Sequence, residues 1–545
     1  MNLSARPGET LTLRNRSRGS VAAVAAIALA LTACGGEDGP QSVPVVDHSD
    51  VTPVATANDS LSHTNHPSSA SSYDGSEPNA QGFASESSAG LPSEPATSDA
   101  NVEAPDSTEA LRIKTEAIRY ARSTWNSIQL FAAESSIPAD KVCFSKSGQT
   151  QPVDYTFITN IAAYAWSIIG ARDLGFISDS DAYARLDTLV AATEKLQQQS
   201  TRAGAPGGML LWAAKVAEPK IDGELVSSVD NGWLAAGLGM IAQAYPSLER
   251  RAQAIIQNMD FRRFLDDSKG QFYHNYDMST SKYSAGTYDL LTEARIISYV
   301  GIGEHKIPPS QYFRIDRTPS WWLKDNTQQM HVYDGIQVYE TTKTYQSYRY
   351  MPSWGGSMFE TFMPAIIFDE AKWGERSWGR SHPQMASAQV AYGLSNFGFW
   401  GFSPSQIPSG NGMYGEFGAP PMGYKGDGYS PHGENQQFRA GPVVTPHAIF
   451  LLMEYRPAAA IDMLNKMKFT FPAMFSEDLG FRDSVDIKNG TVSNCILMLD
   501  QAMSFGAAVN FIKNGQLKKY LDDRYGATLA AVLSKEEFWY PETTR

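Results

Sequence analysis

The sequence predicts an all-α fold, an (α/α)6 barrel (a toroid) with long loops and short β excursions at the rim. Two observations carry this. Six segments that are apolar on nearly every face alternate with six that keep a polar face. A helix buried all round belongs inside a layer of amphipathic ones. The region that holds them, 108–545, exceeds the usual size of one core, yet no second linker divides it. Its Gly- and Pro-rich stretches after residue 400 are full of aromatics, which suits ordered loops better than a hinge.

The expected inner helices are 157–175, 229–245, 288–302, 358–368, 445–453 and 495–512. The expected outer ones are 109–134, 179–199, 248–267, 311–315, 383–394 and 457–467. Segments 270–276 and 331–339 read as short strands. A two-layer helical array is the alternative, and it would lack a central cavity. In the barrel all inner helices point one way, so their N-termini ring a single mouth.

Residues 1–33 read as a lipoprotein signal peptide. Arg6, Arg14, Arg16 and Arg18 precede an apolar run, 21–31, that is too short to span a bilayer. It ends in Leu31-Thr32-Ala33-Cys34-Gly35, which makes Cys34 the lipidated residue. An ordinary signal peptide that happens to contain a cysteine is the other reading. Residues 34–107 read as a disordered acidic Ser/Pro-rich tether, with twelve acids and no Lys or Arg after Cys34. The tether accounts for most of the net charge of −13, so the folded region is only mildly acidic and nothing in it suggests nucleic acid. Gly35 after the lipidated cysteine favours an outer-membrane lipoprotein, facing the periplasm or the outside. The expected protein is a monomer that meets the membrane through lipid alone. Cys143 and Cys495 either pair with each other or stay as two buried thiols.

The expected mouth is a ring of acids, amides and aromatics. It comprises Asp154, Thr159 and Asn160; Ser228, Asp230 and Asn231; Asp289, Thr292 and Glu293; Trp354, Ser357 and Glu360; Arg439, Thr445 and His447; and Asn494 and Asp500. Many of these types are ordinary helix caps, which is the bland explanation for Asp154 and Asp289. Asp230 is followed by the poor helix formers Asn231 and Gly232. Glu293 lies among Leu290, Leu291, Ala294, Ile296 and Ile297. Such a carboxyl should hold its proton as a general acid must, unless Arg295 neutralises it in a buried ion pair. Glu360 follows Met358-Phe359 in a similar setting, while Asp500 reads as an organiser of the wall.

Two carboxyls facing one pocket are the minimum equipment for cleaving a glycosidic bond. The candidate catalytic residues are therefore Glu293, Asp230 and Glu360. Trp354, Trp373, Trp378, Trp400, Tyr414, Phe417, Tyr424 and Tyr429 supply rings on which sugar C–H faces stack. The candidate sugar contacts are Asn160, Asn231, Trp233, Arg295, Trp354, Tyr414, Glu416, Tyr429 and His447. No phosphate loop, dinucleotide fingerprint, zinc pair or Gly-x-Ser-x-Gly elbow is present, and segment 266–270 is a poor calcium loop. No cofactor or metal is expected.

An ordered set of motifs resembles the bacterial glycoamylase-like family. They are Thr159-Asn160-Ile161, the 171–177 and 227–234 segments, Thr292-Glu293-Ala294-Arg295-Ile296, Phe313-Arg314, the 353–360 segment, the 443–448 segment and Asp500-Gln501. That family is similar to the endo-β-1,2-glucanases and to the C-terminal domains of cyclic β-1,2-glucan synthases. The resemblance covers nearly all of the folded region. It implies an (α/α)6 barrel and hydrolysis or transfer of glucan chains, with β-1,2-glucan the leading substrate. Glu293 matches the family's general acid, and an acid at or near Asp230 matters there as well. Where the endo-β-1,2-glucanases carry a Glu, this chain has Asp230, and the acid before it is replaced by Ser227. The loops after Trp400 also depart from the family.

The expectation is a lipid-anchored, inverting endo-glucanase. Glu293 protonates the leaving oxygen, and Asp230, or failing that Glu360, activates water. A transglycosylase, a polysaccharide lyase and a non-catalytic surface glycan-binding lipoprotein stay open as alternatives.

Overall fold

A computed structural model describes residues 107–538 except 134, 146, 318–328, 341, 409–411 and 424–442. The expected signal peptide, Cys34, nearly all of the tether, and Tyr424, Tyr429 and Arg439 lie outside the described residues. The described chain is mostly helical. Its main helices are α1 (Ser107–Ile128), α2 (Ile158–Asp173), α3 (Asp179–Arg202), α4 (Ser228–Ala244), α5 (Pro246–Asn258), α6 (Ile296–Gly303), α7 (Met358–Phe362), α8 (Trp378–Phe397), α9 (Pro446–Leu451), α10 (Pro457–Thr470) and α11 (Met498–Lys513). Among the described residues, no helix is long and apolar enough to cross a membrane.

Helices α2, α4, α6 and α11 are buried on nearly every side, whereas α1, α3 and α5 bury one face. The buried set packs in cyclic order. Helix α2 touches α4 and α11, α4 touches α6, the turn opening α6 touches α7, α7 touches α9, and α9 touches α11. Glycines let the backbones approach. A Cβ on Gly237 would lie 2.8 Å from the Cα of Ala162 in α2, and one on Gly232 would lie 2.8 Å from Ile296 Cδ1. Close packing therefore explains the poor helix former after Asp230 and Asn231, since only glycine lacks the clashing atom.

Several expected elements are shorter than the apolar pattern suggests. The 288–302 segment begins as irregular chain, with Leu290 N donating to Asp316 O and Trp354 N donating to Leu291 O. A 3₁₀ turn, Glu293–Arg295, precedes α6. Helix α7 stops before Pro364, which has no N–H to continue the ladder. The expected outer helix at 311–315 is a 3₁₀ turn, Pro309–Arg314, while the one at 383–394 is longer, as α8. The last expected inner helix is preceded by a strand, Cys495–Leu497.

Short strands lie in the connections. Asn275–Asp277 pairs with Leu225–Ser227, and Gln329–Tyr333 pairs with Ile336–Glu340, close to the two expected excursions. Lys141–Phe144 pairs with Cys495–Leu497, and Cys143 faces Cys495 across that ladder. The two form a disulfide spanning 352 residues of sequence. Closing so long a loop restricts the unfolded chain by about 6 kcal/mol in the entropy picture.

Candidate active site

A cavity of about 140 Å³ opens at the N-terminal ends of α2, α4, α7 and α11, beside the turn that carries Glu293. Capping puts two acids into it. Ser227 Oγ accepts the N–H of Asp230 at 3.3 Å and starts α4, so the carboxyl of Asp230 falls in the first turn. Ser357 Oγ accepts the N–H of Glu360 at 3.3 Å and does the same for α7.

Asp230 accepts a 2.6 Å bond from Thr159 Oγ1, while its other oxygen has no hydrogen-bond partner among the described residues. Burial pushes its pKa up, and the Ser227 and Thr159 bonds pull against that. Glu360 Oε2 accepts the N–H of Gly355 at 3.0 Å. Burial holds Glu360 well above the carboxylate range, and the neighbouring Glu293 and Glu416 add to that.

Glu293 is only 8% exposed. Burial raises its pKa to about 7; Arg295 opposes the rise, and Asp230 and Asp289 add to it. Glu293 makes no ion pair among the described residues. Arg295, the expected competitor, is engaged instead with Glu370 at 2.7 Å.

Glu416 and Tyr414 enter from the chain after Trp400, and Glu416 is raised to about 8 by burial and then by Glu293. Asp500 stands in the first turn of α11 and is also raised to about 8, chiefly by burial. Asp140 completes the ring and accepts a 3.1 Å bond from Asn160 Nδ2. Six acids therefore line the cavity, and Lys141 is its one lining cation among the described residues. Such a lining suits a neutral, hydroxyl-rich ligand and repels an anionic one.

Of the residues expected from sequence, Glu293, Asp230, Glu360, Asn160, Trp233, Trp354, Tyr414 and Glu416 all line this one cavity. Three others are placed elsewhere. Asn231 turns away to clasp Leu210, accepting from its N–H at 2.8 Å and donating to its carbonyl at 2.9 Å. Arg295 is a buried clamp. It bonds Thr292 O at 2.9 Å, Glu360 O at 2.8 Å and Thr361 O at 2.7 Å, and it lies 4.3 Å from the Trp378 ring centroid. His447 sits behind Asp500, 3.2 Å from Oδ2, and burial lowers its pKa to about 4, so it is neutral. Trp373, Trp378 and Trp400 belong to the core. Asp289 accepts the N–H of Leu291 two residues on, and Asp154 accepts the N–H groups of Val216 and Ala217 from a distant loop, so both organise loops and neither caps a helix.

Sequence reading missed Asp140, Lys141, Trp212 and Tyr288 in the lining. Asp140 and Lys141 precede and open a strand, where no helical pattern marks them. Trp212 reaches the cavity from the connection before α4.

The glycoamylase family model, described as "Putative glucoamylase", matches residues 318–524. The endo-β-1,2-glucanase of Chitinophaga pinensis, solved with sophorotriose and glucose, is 15% identical, with a TM-score of 0.57 over 78% of this chain and 98% of that one. The endo-β-1,2-glucanase of Talaromyces funiculosus, solved with sophorose, is 13% identical, with a TM-score of 0.55 over 80% of this chain and 94% of that one. A Bacteroides caccae protein solved under the same description as the family model is 15% identical, with a TM-score of 0.55 over 78% of this chain and 98% of that one. Over 286 residues the chain is 24% identical to the cyclic β-(1,2)-glucan synthase NdvB of Rhizobium meliloti (strain 1021). That match takes in 50% of this chain but 9% of the synthase's length. Residues 318–524 thus match the glycoamylase family model, and the chain shares its fold with endo-β-1,2-glucanases, the relatives that its sequence motifs resemble.

Proposed function

We infer that the chain is a glycoside hydrolase that cleaves a neutral glucan, with β-1,2-glucan the leading substrate. Its frame is an (α/α)6 barrel, a reading supported by the cyclic order of helix contacts around the cavity. Lipid on Cys34 holds it to the cell envelope, a reading that rests on the Leu31-Thr32-Ala33-Cys34 segment alone. The observation that carries the enzymatic reading is Glu293: a cavity carboxyl with its pKa near 7 and no ion-pair partner among the described residues, close enough to Asp230 to feel its charge.

Glu293 gives its proton to the glycosidic oxygen as the C1–O bond breaks. Asp230 takes a proton from a water whose oxygen forms the new bond to C1 from the opposite face, inverting the anomeric centre. Two protons move, and two hydroxyls result. Thr159 favours the ionised form of Asp230 by donating to it, against the upward pull of burial. Trp354, Trp233 and Trp212 supply apolar wall against which sugar C–H groups can pack. Glu360, held well above the carboxylate range, is less suited than Asp230 to act as base.

The acid-rich lining favours this over a lyase acting on uronates, which needs cations around the substrate carboxylate. A transglycosylase would use the same acids. The test is to incubate the full chain with linear and cyclic β-1,2-glucans and with β-1,3-, β-1,6- and α-linked controls. Shorter β-1,2 products of inverted configuration are expected. Longer or cyclic products would indicate transfer, and intact glucan with measurable binding would indicate a non-catalytic binding protein.

A further inference from the structure

Glu416 has no counterpart in the motifs that carry the family resemblance, yet its loop is built with care. Tyr414–Gly415 pairs with Ser405–Gln406, and Lys141 Nζ donates to Gly412 O at 2.7 Å. On the far side, Ala419 N donates to Gly356 O at 3.0 Å, and a Cβ on Gly418 would lie 2.1 Å from Gly355 O. Gly355 is the residue whose N–H holds Glu360. The loop is thus locked between one wall of the cavity and the segment that orients a second carboxyl. Glu416 lines the cavity and is half-buried, with no ion pair among the described residues.

On the reading given under Proposed function, we propose that Glu416 is a sugar-binding residue of that site. It acts as a neutral carboxylic acid and donates a hydrogen bond to a hydroxyl of the glucosyl unit bound beside Glu293.

The groups facing it fit that role. Glu293 comes from the turn before α6, Glu360 from α7, Tyr414 from its own loop, and Asp500 and Asp230 from α11 and α4; Lys141 is the one cation at the wall among the described residues. Among these carboxyls Glu293 disfavours a further negative charge on Glu416, and Lys141 is tied to the Gly412 carbonyl. Burial and Glu293 accordingly raise Glu416 to about 8, so it carries its proton at neutral pH. A protonated carboxyl can donate, whereas an ionised one only accepts. Raising the pH should then weaken sugar binding through Glu416.

The test titrates a linear β-1,2-linked gluco-oligosaccharide into the full chain carrying Glu293→Gln, so that binding is read without turnover. Calorimetry runs from pH 6 to pH 9.5. Affinity is expected to fall about tenfold over that range, on the scale of one lost hydrogen bond. Glu293→Gln/Glu416→Gln keeps a neutral donor and should bind with a clearly smaller fall, the remainder belonging to Asp500, which is raised to about 8 in the same cavity. Glu293→Gln/Glu416→Asp should bind more weakly at pH 6 and keep the fall. A pH dependence that is the same with and without the Glu416→Gln change, or absent from both proteins, overturns the proposal. Failure of every variant to bind at any pH overturns the substrate reading, and this proposal with it.

Discussion

Glu293 and Glu370 are both enclosed carboxyls, yet their surroundings drive them in opposite directions. Glu370 is fully buried, pairs with Arg295 at 2.7 Å, accepts from Tyr299 Oη at 2.8 Å and lies 3.2 Å from His382 Nε2. Burial would raise it, but Arg295 and His382 together outweigh burial and hold it down to about 2. Glu293, two residues from that same arginine, rises to about 7. Enclosure alone therefore does not decide a carboxyl's protonation; the direction in which the nearest guanidinium points does. The two regions are also mechanically linked. Arg295 bonds the carbonyls of Thr292 and Glu360, so the charge-matched cluster frames the segments carrying two of the cavity's acids.

The largest expected effect falls on the cavity. Glu293→Gln should lower kcat on β-1,2-glucan by about 10³-fold, in the range of a lost general acid, while oligosaccharide binding persists. Lost binding with a lowered melting temperature would make Glu293 structural.

The matched cluster should respond in stability. Glu370→Gln leaves Arg295 buried without a counter-charge and should cost about 3–5 kcal/mol, read by denaturant unfolding at pH 7. A loss under about 1 kcal/mol, no more than an exposed pair contributes, would mean that the pair does not frame the site.

The same comparison predicts opposite pH slopes. The raised folded pKa of Glu293 contributes stability that is full below its ordinary value near 4.5 and is lost as pH rises to about 7. Glu293→Gln should therefore gain on the parent by up to about 3 kcal/mol between pH 4 and pH 8. The depressed pKa of Glu370 contributes stability present above 4.5 and lost as pH falls towards about 2. Melting curves of parent and variants from pH 2 to pH 8 check both signs.

The smallest effect is a shift in profile. Thr159→Val removes the hydroxyl that favours ionised Asp230. The acidic limb of kcat/KM should move to higher pH by about one unit. An unmoved limb would assign the base elsewhere.

Much of this was legible in the sequence, and the misses have physical causes. Apolar segments flagged α2, α4 and α11, because a helix buried all round leaves a long hydrophobic signature. The 288–302 segment looked the same but opens with irregular chain, since periodicity cannot separate a buried helix from a buried loop whose N–H groups bond to other segments. The acids at helix starts were found because caps have a local pattern. Asp140 has none, as it precedes a strand paired to a segment distant in the chain, the same pairing that the 352-residue disulfide crosses. Arg295 and Asn231 were expected to face sugar, but side-chain direction depends on partners such as Glu370 and Leu210 that lie elsewhere in the chain.

The central claim is that one cavity carboxyl keeps its proton near neutrality. Infrared difference spectra of parent minus Glu293→Gln, recorded from pH 4 to pH 9, isolate that group without any substrate. A protonated carboxylic C=O band that vanishes with a midpoint near pH 7 is the result expected; a band already gone by pH 5 would contradict the account.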